Sequence, residues 1–119
     1  MLKRTEKYND VDCAIAKISS SNDVKADVFE CGKILGINNN VIPGMMVKKS
    51  GRTTGVTYGM VLATNVTLNV QISDNEYAVF TNQVLSSPMS MPGDSGSLVM
   101  TEDNHAVGLL FAGSQQATM

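Results

Sequence analysis

The apolar positions of this 119-residue chain fall in short runs or at every second residue, never at helical spacing over a useful length. VDCAIAKI (11–18) is a compact apolar run suited to a strand buried on both faces, and the polar breaker SSSND follows it. VKADVFE (24–30) alternates more weakly. GINNNVIPG (36–44) has loop chemistry, because Gly, Asn and Pro supply turn conformations. Beyond Met45 the strands become dense. MMVKKS (45–50) runs into the turn SGRTTG, and the stretch from Val56 to Ile72 is rich in Val, Thr, Tyr and Leu, with TLNVQI at period two. Ser73, Asp74 and Asn75 predict a hairpin turn into EYAVFTNQVL (76–85). The loop SSPMSMPGDSGS then precedes two closing strands, SLVM (97–100) and AVGLLFA (106–112), joined by TEDNH. Short strands between turn signals predict an all-β chain, a small barrel or sandwich.

Composition narrows the class. Hydrophobic residues at 43% and charged residues at 17% argue for a globular chain over a disordered one, and the length suits one compact domain. A net charge of -2 gives no electrostatic reason for a nucleic-acid partner, and the cluster Lys3, Arg4, Lys7 is too small and mixed to be a binding arm. No apolar run approaches the length of a transmembrane helix, so no membrane association is expected. MLKRTEKYNDVD turns polar where a signal peptide needs its apolar stretch, which favours a cytoplasmic location or a true N-terminus further upstream. Cys13 and Cys31 form no CxxC pair, and His105 is the sole histidine, so no metal or other cofactor is expected. Base rates for non-secreted chains favour two reduced, partly buried thiols.

The sharpest chemical feature is Gly93-Asp94-Ser95-Gly96. A nucleophilic serine needs its hydroxyl on a tight turn, with backbone N–H groups aimed at the developing oxyanion. Gly93 allows the required backbone, Gly96 leaves space beside Ser95, and the N–H groups of Gly93 and Ser95 could converge on one oxygen. The same four residues also suit an ordinary polar loop, and a chance match is at about the one-in-a-thousand level. Ser97 stands where a G-x-S-x-G elbow needs its second glycine, so an α/β-hydrolase reading fails.

Followed by a strand, a short hairpin and GLLFAG, this GDSG resembles the C-terminal barrel of the trypsin-like serine peptidases of bacterial type. The resemblance implies that Phe111 and Ala112 present backbone to an extended peptide, and that Gly113 walls the primary specificity pocket. It places Met89, six residues before the serine, at the base of that pocket, where an apolar group implies medium apolar side chains in the substrate. Upstream, Asp12-Cys-Ala-Ile-Ala-Lys-Ile resembles the family's aspartate strand, which makes Asp12 the orienter of the catalytic histidine, with Asp10 a close competitor. Taken alone, Asp12 reads more readily as a strand-end or capping residue. MVKKSGRTTGVTYGMV (46–61) is similar to the opening hairpin of the second barrel, and also reads as any soluble hairpin.

The resemblance implies residues 1–30 as a remnant of the first barrel with its linker. Residues 31–119 would be the second Greek-key barrel, incomplete, lacking its last strand and helix. It departs from the family at the histidine, since none precedes Asp12. His105 falls in the TEDNH turn and reads as an exposed turn residue. Lys17, Lys48 and Lys49 could serve a Ser-Lys dyad in principle, but their spacing reads as solvated surface. The expected partners are therefore a peptide or protein substrate and a missing N-terminal barrel that supplies the histidine. Unpaired sheet edges also invite a homodimer. The rival reading is a non-catalytic binding module that kept the barrel and lost the chemistry.

Overall fold

The structure, a computed structural model, describes residues 8–114 and 116–119, with Ile72 described by its backbone alone. The cluster Lys3, Arg4 and Lys7 lies outside the described residues. Eight strands form: β1 (Asp27–Val28), β2 (Gly32–Lys33), β3 (Gly36–Ile37), β4 (Met46–Gly51), β5 (Gly55–Ser73), β6 (Glu76–Ser86), β7 (Leu98–Thr101) and β8 (His105–Leu109). The last five match the dense strands expected after Met45, and Ser73 pairs with Glu76 across the expected tight turn. A short 3-10 turn at Ser21–Asp23 is the only helical element among the described residues, with the Ser20 hydroxyl accepting from the Asn22 N–H.

β3 to β8 make one six-stranded sheet in the order β3-β8-β7-β4-β5-β6, while β1 and β2 pair by themselves. β4, β5 and β6 follow one another as antiparallel hairpins, and β7 returns to lie beside β4. That is a Greek key, and its long return connection, residues 87–97, carries the GDSG turn. The sheet curls. Thr118 bridges both Ser86 at the end of β6 and Gly113 beyond β8, so the last residues link the two sides of an incomplete barrel.

Period-two alternation sets the inner face. Val47, Val61 and Met89 form the buried centre, with Val41, Met45, Val84, Val99 and Val107 packed around it. The rings of Phe80 and Phe111 meet at 4.7 Å between centroids with a 39° tilt. Each fully buried Val or Phe here contributes about 1.5–3 kcal/mol relative to an exposed one.

The N-terminal expectation fails. Residues 11–18 form no strand, and Ile15 is 99% exposed. A two-sided apolar strand needs sheet neighbours on both edges and cover on both faces. Among the described residues this segment has neither. Only Asn9 pairs, in parallel with Phe80 on β6, through its N–H to Val79 and its carbonyl from Thr81. No helix of the described residues is long and apolar enough to cross a membrane.

Candidate active site

Two linked turns build the serine loop. The Asp94 N–H donates to the Met91 carbonyl at 3.1 Å, with Pro92 and then Gly93 at the corners. The Ser97 N–H donates to the Asp94 carbonyl at 3.1 Å, with Ser95 and then Gly96 at the corners. Gly93 has φ +104° and Gly96 φ +89°, which is the third-position geometry of type II turns and a region closed to most side chains. Proline at the second position of the first turn presets its φ. Ser95 thus stands exposed at the corner of the second turn. Among the described residues, neither the Gly93 nor the Ser95 N–H has a hydrogen-bond partner.

The loop is anchored from below by Asp94, which is 1% exposed. One carboxylate oxygen accepts from the N–H groups of Thr53 (2.8 Å) and Thr54 (3.1 Å). The other accepts from the Thr54 hydroxyl (2.7 Å) and the Met91 N–H (2.9 Å). Lys49, fully buried, lies 3.7 Å from this second oxygen and donates to the Gly55 carbonyl and the Thr54 hydroxyl. Burial pushes the Asp94 carboxyl upward, but the hydrogen bonds from Thr54, Met91 and Thr53 outweigh it and hold the group well below the usual carboxylate range. The β4–β5 turn and the serine loop are therefore locked together. Gly51 makes this possible, since a Cβ there would run into the Asp94 carboxylate and the Ser97 hydroxyl. Lys49 is thus a structural ion-pair partner, contrary to its expected place on the solvated surface.

Ser95 opens onto a cleft of about 610 Å³ whose other walls include Met91, Pro92, Phe111, Ala112 and Gly113. Along one wall the tail pairs with the segment after β8: Ala112 exchanges both its backbone bonds with Met119, and the Ser114 N–H donates to Ala117. Gly113 alternates with these residues, so its N–H and C=O turn away from the tail; among the described residues they have no partner, nor has the Phe111 C=O. The expectation for Ala112 is corrected: its backbone is taken up by Met119, and Phe111 and Gly113 offer the free groups. Met89, expected at the base of the pocket, packs below the surface. It is 5% exposed, sits in the core beside Gly59 and does not line the cleft.

Asp12 lies elsewhere. It lines a separate cavity of about 180 Å³ inside the open barrel, with Asp10, Val47 and Val107. Phe111 lines both cavities and so stands between Asp12 and Ser95. The Asp10 carboxylate accepts from the Thr81 hydroxyl, whereas that of Asp12 makes no hydrogen bond among the described residues. His105 lines neither cavity; it is the first residue of β8, half-buried rather than fully exposed, with its Nδ1 3.3 Å from Asp103. The buried Lys49–Asp94 pair is the part of the site that sequence reasoning missed. Its signal was available, because in a strand Lys49 shares the inward face of Val47.

Solved structures with this arrangement of strands settle the fold. The chain has half of a chymotrypsin fold. It superimposes on the chymotrypsin of Cellulomonas bogoriensis with a TM-score of 0.62 and 24% identity over 72% of this chain and 46% of that one. For a Nocardiopsis protease (NAPase) the figures are 0.63, 24%, 77% and 50%. A glutamic acid specific serine protease, described as using a histidine triad in substrate binding, gives 0.60, 28%, 77% and 49%. The chain spans about half the length of the structures it matches. No family model matches it, and no curated protein sequence does. Its relationship is thus with the bacterial serine proteases of chymotrypsin fold, over a partial barrel.

Proposed function

We propose that this chain is the nucleophile-bearing half of a trypsin-like serine endopeptidase, completed by a histidine-bearing first barrel from outside residues 1–119. The observation that carries the reading is Ser95 on the corner of the double turn, beside unpartnered Gly93 and Ser95 N–H groups and a cleft edge with free backbone groups. An extended peptide would pair with the Phe111 C=O and with Gly113, which brings its scissile carbonyl toward Ser95. The Ser95 Oγ would attack that carbonyl while the imidazole takes its proton, with the oxyanion held by the N–H groups of Gly93 and Ser95. The C–N bond then breaks, the leaving amine takes the proton from the imidazolium, and water releases the acyl group by the reverse roles. Asp12 would orient the imidazole from the far side of Phe111, once residues 11–18 are ordered as a strand by the first barrel. Alone, the chain is expected to be inactive or nearly so.

The place of His105, at the start of β8 and outside the Ser95 cleft, favours a second reading, a binding module that takes up peptides without cleaving them. Peptide hydrolysis by the natural-length protein separates the two. Turnover that disappears in Ser95→Ala supports the peptidase; specific peptide binding by a protein with no turnover and an unreactive Ser95 supports the module.

A further inference from the structure

The hydroxyls of the Ser95 cleft can be assigned as donors or acceptors, and the assignment says what the cleft recognises. The Ser114 Oγ accepts from the N–H groups of Gln116 (3.1 Å) and Ala117 (3.3 Å). A hydroxyl has two acceptor positions, so only the Ser114 proton is left to offer. Behind Ser90, the buried Thr118 Oγ1 accepts from the Met89 N–H at 3.1 Å and lies 3.0 Å from the Ser90 Oγ. Thr118 is 3% exposed, and among the described residues the Ser90 Oγ is the one acceptor within reach of its proton. Buried donors are almost always paired, so Thr118 donates to Ser90. The Ser90 proton is then also free. Ser90 and Ser114 both line the cleft, and its lining has no charged side chain among the described residues. Apart from the Ser95 hydroxyl and the free backbone groups of Phe111 and Gly113, the walls are apolar, Met91, Pro92 and Leu110 among them.

We infer that Ser90 and Ser114 are specificity-determining residues, and that the cleft takes a substrate side chain with an aliphatic stem and a neutral acceptor at its end, a carboxamide as in glutamine. This rests on the cleft being the substrate site. Apolar walls suit the stem, and two donor hydroxyls suit the carboxamide oxygen. A carboxylate would meet the same donors with no cation to offset its desolvation. An ammonium or guanidinium would find one open hydroxyl acceptor position, on Ser90, and no carboxylate to offset its desolvation. A leucine side chain would leave both donors without an acceptor, which is the kind of mismatch that polar sites reject most strongly.

The test is an NMR titration of the isotope-labelled chain with four capped tetrapeptides that differ only in a terminal Gln, Glu, Leu or Lys. The amides of Ser90, Gly113 and Ser95 report the site. The Gln peptide is expected to bind tightest, by about 3–10-fold over Leu for each hydroxyl engaged. Ser114→Ala and Ser90→Ala should each reduce that preference while leaving Leu binding unchanged. If Glu, Leu or Lys binds tightest at these same amides, the specificity assignment is overturned and the cleft reading survives. If no peptide shifts Gly113 in a chain with a folded spectrum, both fall together.

Discussion

Replacing Asp94 with asparagine keeps the shape of the buried carboxylate and removes its charge. An asparagine oxygen could still accept from the Thr53 and Thr54 N–H groups, as one carboxylate oxygen does now. Its NH2 would then face the Met91 N–H and the Lys49 ammonium, donors against donors, at the position of the second oxygen. Lys49 would be left as a buried charge with two neutral acceptors, the Gly55 carbonyl and the Thr54 hydroxyl. Removing one member of such a pair costs about 3–5 kcal/mol, a large part of the 5–15 kcal/mol of a typical domain. Because the folded carboxyl is held below its usual range, its contribution is complete above the unfolded value of about 3.9 and fades as pH falls from there through the folded value. Urea denaturation of both proteins should therefore show a constant gap from pH 7 to 5. Below about pH 4 the gap should narrow, by at most about 1.4 kcal/mol per pH unit. A gap under about 1 kcal/mol at pH 7, or one unchanged between pH 5 and 2, would refute the account of this anchor.

Gly93→Ala and Gly96→Ala both force a side chain into positive φ, at about 1–2 kcal/mol each, but only at Gly93 would the new Cβ strike the Thr53 hydroxyl. Thermal melts should rank Gly93→Ala as the more damaging, and equal losses would contradict the packing described. Met89→Ala should cost about 2–5 kcal/mol by leaving a core cavity, without altering which peptide the cleft prefers. A change of peptide preference with unaltered stability would return Met89 to the pocket. Asn104 has φ +64°, and its Nδ2 donates to the carbonyls of Cys31 and Lys33. Asn104→Gly keeps that backbone and frees the β1–β2 hairpin, so amide exchange should quicken at residues 27–33 and stay as before in β4–β8.

How much of this was readable in the sequence depends on where the deciding contacts lie. β4 to β8 follow from local alternation and turn chemistry, such as Asp74-Asn75 between Ser73 and Glu76. The double turn follows from Pro92, Gly93 and Gly96, whose backbone preferences act within four residues. Long-range contacts were less legible. The apolar run at 11–18 reads as a strand only with partners for its edges, and it finds none among the described residues. Met89 was assigned by position along a family pattern, whereas its burial depends on Gly59 giving it room from a distant strand. The tail closed the cleft wall through Thr118, whose partners Ser86 and Ser90 are about thirty residues away. No local pattern announces such a bridge. Lys49 was the misreading that the alternation itself could have prevented.

The central claim is that Ser95 is a nucleophile awaiting a base, and covalent labelling tests it most directly. The protein should be purified from its source at natural length, its intact mass recorded, and then treated with a fluorophosphonate. The account predicts a mass longer than this chain by a histidine-bearing barrel, and one adduct, mapped to Ser95 and lost in Ser95→Ala. A folded natural-length protein that carries such a barrel and stays unlabelled at Ser95 would contradict it.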